Sequence, residues 1–534
     1  MAVEKKQKID YSALHPEFRV CSQRWMMAFD FLRGGRHIIN PGRSIGNVKF
    51  RVDERISDTD PDPDREISRT PAQETVPWGS YLWKHETERE GDFAERCAHV
   101  FHFPLFAPII NEVAADLLRT RPERSESSAD WQAFWSDVDD AGTDVDAFMR
   151  LLVCLGFCFG RMHVLTDGTA AGEVPPSRYH QERMGIRKYW QMVTPLRLIN
   201  WAKDEHGRYL WVVIQEDLPD ERAPGEQLKP NDAKAEKFQY RVWDRKKWEL
   251  WRRPGKRSNE WKKEDEGEHG YDYVPIRDLF FTKAGSPSTM DCESPFASQL
   301  DLDQHLLNEV SENWTAERLY SFPVLAVPEM EGEAGAPIDI GPTKAFGYPA
   351  GQGIPAPSFI SPDQAPMDRR WDRIKDKYLY GRMSAGVGRG MQERSIERRA
   401  ADALVEELRA HLSQMAQWLS AIQEFDDQIN GDIAAARKAK PPKATYSRSF
   451  YRTAILAAIN VINQLSTTGV ISSQLLVMMV KPVVMSFLSD QGMSADVLAR
   501  AEAELQTAAE LAAKGANDDK GDGDQDAEGE LDEA

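Results

Sequence analysis

A turn-rich segment between two helical patterns constrains this fold more than any other feature. The stretch from Phe322 to Pro366 contains nine prolines and six glycines. Proline fixes φ and has no backbone N–H, so neither a long helix nor a central strand can run through such a segment. On either side, residues 294–320 and 367–383 space their apolar side chains as helices do. The sequence therefore predicts a helix, a small β-type insertion and a second helix, in that order.

A long helical pattern follows a glycine-rich break at residues 384–390. Its apolar residues keep to one face from Ser395 to Ile429, and no capping residue divides it. A helix of that length would extend about 50 Å at a rise of 1.5 Å per residue. The rest of the chain is predicted as a linker, a strand and a helical C-terminal region, at Gly431–Pro442, Lys443–Arg452 and Thr453–Lys514.

The first half of the chain combines helical and strand patterns. Residues 1–80 are predicted to be irregular, with an exposed acidic loop at Asp58–Glu66. Helical periodicity is expected from Tyr81 to Thr120, with one apolar face over residues 106–118, and a second helix is expected at Asp144–Phe157; in both, apolar side chains recur at i, i+3 and i+4. Residues 161–282 contain successive runs rich in β-branched and aromatic residues, which are typical of strands, interrupted by a charged segment at Lys256–Gly270 that we expect to be a loop. The predicted fold class is therefore α+β.

The net charge and the cysteine content exclude or disfavour some classes of protein. The chain has 67 Lys and Arg against 86 Asp and Glu, a net charge of -19, which excludes a generally basic nucleic-acid-binding surface but not a local basic strip. Five scattered cysteines argue against a disulfide framework and fit a reducing compartment. Residues 517–534 carry nine acidic residues and one lysine, and we expect them to be disordered.

The sequence shows neither a signal peptide nor a membrane span. The N-terminus has basic residues but no apolar core behind them. The most apolar window, Val470–Leu488, is interrupted by Lys481 and Pro482. We therefore expect buried helices there and no contact with a membrane.

Signatures of catalysis and of cofactor binding are weak or absent. The sequence contains no GxxxxGK[ST] phosphate loop, no HExxH and no CxxC pair. A GxSxG motif surrounds Ser44, but a strand-like NVKFRV follows it where a hydrolase would have a helix. Cys154 and Cys158 are spaced as metal ligands can be, yet no partner pair is nearby, so we expect buried thiols. We expect no catalytic residue, no metal and no cofactor, and we interpret His99 and His102 as packing residues.

A local excess of positive charge follows the turn-rich segment. Between Arg369 and Arg399, ten basic and four acidic residues give 10 - 4 = +6. Arg369, Arg373 and Lys377 share one helical face at i, i+4 spacing. Two interpretations stay open. The basic residues pair with the three aspartates of the same helix, or, repeated around a ring, they form a belt that contacts phosphates without sequence preference.

The order of these segments resembles the portal proteins of tailed bacteriophages, the ring-shaped connectors at the DNA vertex of the capsid. The resemblance covers nearly the whole chain. Four sequence segments that are similar to portal wing and stem segments contribute to it: DFAERCAHVFHFPLFAPIINEVAADLLRTRP, YWQMVTPLRLINWAKD, VPIRDLFFTK and SPFASQLDLDQHLLNEVSENW. It implies an α+β wing at 1–293, stem helices at 294–320 and 367–383, a clip at 321–366, a tunnel loop at 384–392, a long helix and wing return at 393–452, a helical crown at 453–516 and an acidic tail at 517–534.

The resemblance also implies a function. Portal subunits form rings, usually dodecamers, through which double-stranded DNA is packaged and ejected, while a separate terminase hydrolyses ATP. The implied partners are copies of this chain, DNA, the terminase, and the major capsid, scaffold and head–tail adaptor proteins, in a virion assembled in the host cytoplasm. The residues implied to contact DNA are Arg369, Arg370, Arg373, Lys375, Lys377, Arg382 and Arg389.

Three glycines of the tunnel loop have two interpretations. Gly386, Gly388 and Gly390 would make a loop near moving DNA deformable, or they form a simple helix break. Two other functions remain as alternatives: a head–tail adaptor or minor capsid protein that need not contact DNA, and a hydrolase or nuclease with an unrecognised site.

Overall fold

The computed structural model describes residues 10–35, 38, 81–85, 88–89, 93, 96–97, 99–125, 128–168, 187–218, 238–253, 260–282, 289–320, 324–329, 345–349, 358–360, 365–386, 401–447, 499–500, 503 and 507. The helices in these ranges are α1 (Pro16–Arg33), α2 (Phe106–Leu117), α3 (Ala129–Ser136), α4 (Val145–Phe159), α5 (Ala297–Tyr320), α6 (Ala365–Ser384) and α7 (Ala401–Arg437). The strands are β1 (Glu123–Arg124), β2 (Arg161–Gly168), β3 (Lys188–Val193), β4 (Leu198–Lys203), β5 (Tyr209–Asp217), β6 (Phe238–Asp244), β7 (Lys247–Arg252), β8 (Lys262–Glu268), β9 (Ile276–Phe280), β10 (Val324–Glu329), β11 (Ala345–Pro349), β12 (Ser358–Ile360) and β13 (Ala444–Thr445).

Several predicted segments lie outside the described residues. These are Ser44 and its motif, the acidic loop at 58–66, the glycines Gly388 and Gly390, the basic residue Arg389, nearly all of the C-terminal helical region, and the acidic tail.

The chain divides into two compact units. Unit 1 comprises Met1–Asn111 and Leu151–Ala385, and unit 2 comprises Glu112–Arg150 and Gly386–Ala534. Among the described residues, unit 1 contains all the sheets except the short β1–β13 pair, and unit 2 contains α7.

Unit 1 is built around two antiparallel sheets. Strands β4 to β8 pair in chain order as a five-stranded meander, and β2 lies between β3 and β9 in a second sheet. β2 is buried almost from end to end, as a central strand covered on both faces should be. β8 lies at a sheet edge, is almost wholly exposed and carries Lys, Glu and Asp side chains, which protect an edge from pairing with other chains. Together with the helices, these sheets confirm the predicted α+β fold class.

Helix α1 lies where the sequence analysis expected irregular chain, so that expectation was wrong for residues 16–33. Pro16 stands in the first turn, where its missing N–H costs nothing, and the ring Nδ1 of His15 accepts the backbone N–H of Glu17. Phe18 and Trp25 are among the side chains that bury one face of the helix. The helix was missed because arginines and other polar residues interrupt the apolar spacing along its sequence.

Three other helices largely match their predictions. The helix expected at Asp144–Phe157 is α4, the one expected near 294–320 is α5, and the one expected at Met367–Met383 is α6. The apolar face over 106–118 is α2, but the helical prediction from Tyr81 to Thr120 was wrong for residues 81–85 and 100–105, which are not helical. Six of the strands predicted over 161–282 are present as β2, β3, β5, β6, β7 and β9. β4 was not singled out, and β8 lies where a charged loop was expected at Lys256–Gly270, so that expectation was wrong for residues 262–268. The elements that match are long and periodic, or bounded by turns, so local pattern identifies them.

Helix α7 continues past its predicted end. A linker was expected to begin at Gly431, but the helix runs on to Arg437, and that boundary was wrong. A single glycine costs a helix only about 1 kcal/mol, and burial of Ile433 and Ala434 offsets that cost. The helix ends at Lys438, whose φ is +54°. The strand predicted at Lys443–Arg452 is limited, within the described residues, to the two residues of β13.

Unit 2 is held together by a buried carboxylate on α7. Asp426 is fully buried and accepts hydrogen bonds from Arg124 at 3.2 Å, Tyr446 at 2.8 Å and Asn430 at 2.7 Å. These partners come from β1, from the residue after β13 and from the next turn of α7. One side chain therefore joins three segments that are distant in sequence.

None of the helices in the described ranges combines the length and the apolar character that crossing a bilayer would require.

Candidate functional site: a helix hairpin with a charged outer face

Helices α5 and α6 pack side by side as an antiparallel pair, here called the helix hairpin. The pairing can be followed turn by turn, because residue numbers rise along α5 while those of their partners fall along α6. The contacts join Gln299 to Ser384 at 3.1 Å, Leu302 to Gly381, Glu309 to Lys377, and Glu317 to Trp371.

The inward face of α6 has a regular spacing. Trp371, Ile374, Tyr378, Gly381 and Ala385 recur at alternating intervals of three and four residues. Ile374, Gly381 and Ala385 are buried, and the other two are partly buried. This is the spacing with which one helix packs along another. The sequence alone does not single out this stripe, because Trp, Tyr and Gly are unusual in such positions.

Gly381 sets how closely the helix hairpin approaches its neighbours. A Cβ added at this position would lie 2.7 Å from methyl groups of both Leu105 and Leu302. The glycine is thus required by contact across the interface, and not by its backbone conformation.

The other side of α5 is covered by the chain that precedes α2. Asp303 is fully buried and accepts the backbone N–H groups of Leu105 at 3.0 Å and Phe106 at 2.8 Å, together with a ring nitrogen of His102 at 2.8 Å. A carboxylate in this position satisfies amides at the start of α2 and favours its dipole. His99 stacks on Trp314 of α5 with ring centroids 5.0 Å apart. The interpretation of His99 and His102 as packing residues holds only in part, because His99 is exposed beside Trp314 and His102 is hydrogen-bonded to a buried carboxylate.

A small sheet lies between the two helices in the chain. β10 is its central strand, parallel to β11 and antiparallel to β12. The β-type insertion predicted from the prolines and glycines is therefore present, with three short strands in the described residues.

The two helices of the helix hairpin carry opposite net charges. α5 has five acidic residues and one arginine, 1 - 5 = -4, whereas α6 has six basic and three acidic residues, 6 - 3 = +3. Lys377 donates to Glu309 of α5 and lies 3.1 Å from the Nε2 atom of His305. The helix hairpin is therefore matched in charge across its own interface.

The structure separates the basic residues predicted as DNA contacts into two groups. Arg369, Arg370, Arg373 and Lys375 are exposed on α6. Lys375 lies 3.4 Å from Asp372, one of the ion pairs that the alternative interpretation expected within the helix.

Lys377 and Arg382 belong to the second group, because both are only partly exposed. The Lys377 ammonium contacts Glu309 and His305 of α5, although 37% of its side chain is exposed. It is therefore less available to solvent than Arg369 and Arg373, with which i, i+4 spacing had grouped it. Gly386 has a φ of +76° and lies against the ring of His411, which fits a helix break as well as a loop.

Exposed aromatic and aliphatic side chains on the same part of the molecule were not expected from the sequence. Tyr380 is 61% exposed, and Leu379, Phe101 and Phe103 are also exposed. Phe103 contacts Tyr378 of α6, with ring centroids 4.7 Å apart. The signal in the sequence is the run FHFPLF, whose aromatic residues suggested packing alone.

A second group of side chains, inside unit 1, has no signal in the sequence. Asp278 of β9 accepts hydrogen bonds from His163 at 2.7 Å, from Lys203 at 3.1 Å and from Tyr209 at 2.8 Å. Burial alone would raise the pKa of Asp278, but the Lys203 ammonium and the hydrogen bonds from His163 and Tyr209 hold this pKa well below its usual range. These residues are far apart in sequence, and each is an ordinary residue of its own strand.

The chemistry available to this cluster is limited by its burial. His163 is fully buried, and the side chain of Lys203 is 4% exposed. The side chain of Asp278 is 12% exposed, so little of the cluster is open to solvent in the described structure, and its hydrogen bonds join β2, β4, β5 and β9. Within the described residues, no three His, Cys, Asp or Glu side chains are placed to hold a metal ion.

The two cysteines considered as metal ligands lie on α4. Cys158 is fully buried, and burial raises the pKa of its thiol well above the usual value. Cys154 is partly exposed, with its sulfur 3.9 Å from the side-chain oxygen of Asn111. The expectation of buried thiols is confirmed for Cys158 and holds only in part for Cys154.

No protein-family model matches this chain, and no curated protein matches it. Among solved structures, the chain is similar to a chain from the virion of a native gene transfer agent particle. The two are 12% identical, and the match covers 71% of this chain and 90% of that chain with a TM-score of 0.33. A similarity this low assigns no family.

Proposed function

We propose that this chain is a portal protein of a tailed bacteriophage or prophage. The observation that carries the proposal is the helix hairpin, two packed antiparallel helices with a small sheet inserted between them in the chain. Repeated about a symmetry axis, such hairpins would stand side by side and enclose a channel. Portal rings are usually dodecamers, and we propose the same number here.

The charge distribution supports passage of a polyanion. The exposed residues of α6 include both arginines and aspartates, so a ring would present mixed charge with a modest basic excess. Contacts to phosphates would be independent of sequence and weakened by salt. A strongly basic wall would bind DNA and arrest it, whereas a net charge of -19 for the whole chain favours sliding.

The proposed partners follow from the same role. The inserted sheet β10–β12 would meet the terminase during packaging and the head–tail adaptor afterwards, and the remaining surface would meet the capsid and scaffold proteins in the virion. ATP hydrolysis would belong to the terminase, so the role requires no catalytic residue in this chain.

Imaging of the purified full-length chain tests the proposal directly. We expect closed rings with an axial hole in electron micrographs, and a mass by light scattering that is a large multiple of 60.6 kDa. A monomer that persists at high protein concentration would rule out the portal role. Small oligomers without a hole would favour the adaptor or minor capsid alternative.

The DNA-contact proposal has a separate test on α6. Replacing Arg369, Arg370 and Arg373 together by Gln should leave the rings intact and reduce the salt dependence of binding to duplex DNA. The slope of log affinity against log salt should fall by about 0.9 for each phosphate that the variant no longer neutralises. Fluorescence anisotropy of labelled DNA over a salt series measures this slope.

Lys377→Gln is the matched control, because its ammonium is already bound to Glu309 and His305. We expect its salt slope to equal that of the unmodified protein. If the triple variant and the control behave alike, the exposed face of α6 does not contact DNA.

A further inference from the structure

A short strap, Thr289–Ser294, connects the sheets of unit 1 to the start of α5. Its contacts are unusually dense for a connecting segment. The indole N–H of Trp25 donates to the carbonyl of Cys292 at 3.2 Å, and the hydroxyl of Ser294 donates to the carbonyl of Phe157 at 2.6 Å. The strap therefore fixes where α5 begins relative to α1 and α4.

Met290 is the centre of the strap. Its backbone N–H donates to the carboxylate of Glu17 at 2.8 Å, and its carbonyl accepts from the guanidinium of Arg161. Its sulfur lies 2.9 Å from Nζ of Lys203 and 3.4 Å from the hydroxyl of Tyr209. One residue of the strap is thus held by α1, β2, β4 and β5 together.

The charged groups around Met290 are balanced. Arg161 and Lys203 contribute two positive charges, while Asp278 and Glu17 contribute two negative charges. Arg161 is fully buried between the rings of Trp25 at 4.5 Å and Trp201 at 5.4 Å. A buried cluster tolerates such charges only while they compensate one another.

His163 lies inside this cluster, and its protonation state determines whether the positive and negative charges of the cluster cancel. Its Nδ1 atom is 2.7 Å from Asp278, whereas its Nε2 atom is buried and has no hydrogen-bond partner among the described residues. A proton gained at Nε2 would find no acceptor. It would also add a third positive charge beside Arg161 and Lys203. Burial lowers the pKa of His163, even though Asp278 raises it, so the folded cluster favours the neutral ring.

We propose that the strap Thr289–Ser294 is an acid-released latch, which holds the start of α5 while His163 is neutral and lets it go when His163 gains a proton. The direction of the pH effect follows from the linkage between proton binding and release of the strap. The released form takes up the proton near the ordinary histidine pKa of about 6.5, and the latched form does so only at lower pH. Acidification below that value therefore favours release by up to about tenfold per pH unit for one proton.

Other titratable groups that face the cluster do not provide the same switch. His15 stacks on Trp201 at 4.0 Å and accepts the backbone N–H of Glu17, and burial and the Arg161 guanidinium lower its pKa as well. It has no hydrogen bond to Asp278 among the described residues, and His163→Asn, which leaves His15 in place, separates the two histidines. Burial raises the pKa of Tyr209 well above its ordinary value, so its hydroxyl stays protonated under mild acid. Asp291 contacts the thiol of Cys21 at 3.3 Å, on the outer side of the strap.

Two cysteines of the chain can report on the latch. Cys292 lies in the strap, is 2% exposed, and burial raises the pKa of its thiol to about 12, so it should be unreactive while the latch is closed. Cys154 is partly exposed and serves as an internal reference. The experiment labels the full-length protein with 4,4′-dithiodipyridine, which reacts with thiols in mild acid, and quantifies both cysteines by peptide mass spectrometry.

We expect the Cys292/Cys154 labelling ratio to rise as the pH falls below about 6.5, by up to about tenfold per pH unit, and to level off once the latched form is protonated as well. His163→Asn keeps a donor to Asp278 but cannot titrate, so its ratio should stay flat. His206→Asn removes an exposed histidine and should leave the profile unchanged.

Two further variants change the net charge of the cluster in opposite directions. They test the latch even if His163→Asn does not fold. Lys203→Met removes one positive charge, so the cluster can accept the histidine proton and the acid-induced rise should disappear. Glu17→Gln removes one negative charge, so labelling of Cys292 should already be raised at neutral pH.

Three results would overturn the latch. The first is a labelling ratio that does not change with pH in the unmodified protein. The second is an acid-induced rise that survives in full in His163→Asn or in Lys203→Met. The third is a loss of the helical circular dichroism signal over the same pH range, because acid would then unfold the protein instead of releasing the strap.

Discussion

At the residue scale, Gly160 allows the turn between α4 and β2 to pack directly against the strap. It joins α4 to β2 with a φ of +81°, and a Cβ added there would overlap the backbone carbonyl of Glu293 in the strap. Both the backbone conformation and the close approach require glycine. From the sequence, this residue is only one of 35 glycines, and nothing nearby in the chain reveals its neighbour.

Gly160→Ala should therefore destabilise unit 1. The left-handed conformation costs an L-residue roughly 1–2 kcal/mol, and the displaced carbonyl adds roughly 1–3 kcal/mol. Gly270→Ala is the matched control in the same unit, because its φ is +83° but no atom lies within 4 Å of the added Cβ. Urea denaturation followed by tryptophan fluorescence measures both. Equal losses in the two variants would show that the contact with Glu293 contributes nothing.

At the scale of elements, α5 contacts two other segments of unit 1 on different sides. One side of α5 pairs with α6, and another side holds the chain before α2 through Asp303. Its position in the chain was predictable, because its apolar spacing is long and is followed by the turn-rich insertion. Its partners were not, since they come from residues about 200 positions earlier and about 70 positions later.

Asp303→Ala should loosen the start of α2. The change leaves two amides and His102 without their shared acceptor, so we expect a loss of roughly 2–4 kcal/mol in the free energy of unfolding. Hydrogen exchange at the amides of Leu105 and Phe106 should accelerate in parallel.

Asp301→Ala, two residues away on the same helix, is the control. Asp301 pairs with Arg24 at the surface and is 60% exposed, so we expect a loss of about 0–1 kcal/mol. A comparable loss in both variants would contradict the assignment of Asp303 as the cap of α2.

At the scale of the whole molecule, each compact unit has its own buried polar centre. In unit 1 the centre is Asp278 with His163 and Lys203, and in unit 2 it is Asp426 with Arg124 and Tyr446. Unit 2 consists of two stretches of chain, Glu112–Arg150 and Gly386–Ala534. The second stretch of unit 1, Leu151–Ala385, lies between them in the sequence. The contacts of Asp426 therefore join parts of the chain about 300 residues apart.

Asp426→Ala should destabilise unit 2 selectively. Removing the carboxylate leaves the Arg124 guanidinium buried without this partner, and we expect a local loss of about 3–5 kcal/mol. Hydrogen exchange should accelerate in α7 and β13 while protection in β2 and β9 is retained. Glu424→Ala, at an exposed position on the same helix, should change neither set. A uniform loss of protection would indicate that the two units unfold as one.

The sequence by itself determined the α+β class, the long helices and the order of helix, small sheet and helix, because each depends on local spacing of apolar residues, prolines and glycines. Only the tertiary structure decided that the Lys377 ammonium contacts Glu309 and His305 of α5. It alone brought Asp278, His163 and Lys203 together, and it alone placed Gly160 against the strap. These outcomes depend on which distant segments come into contact, and local periodicity carries no information about partners so far apart along the chain.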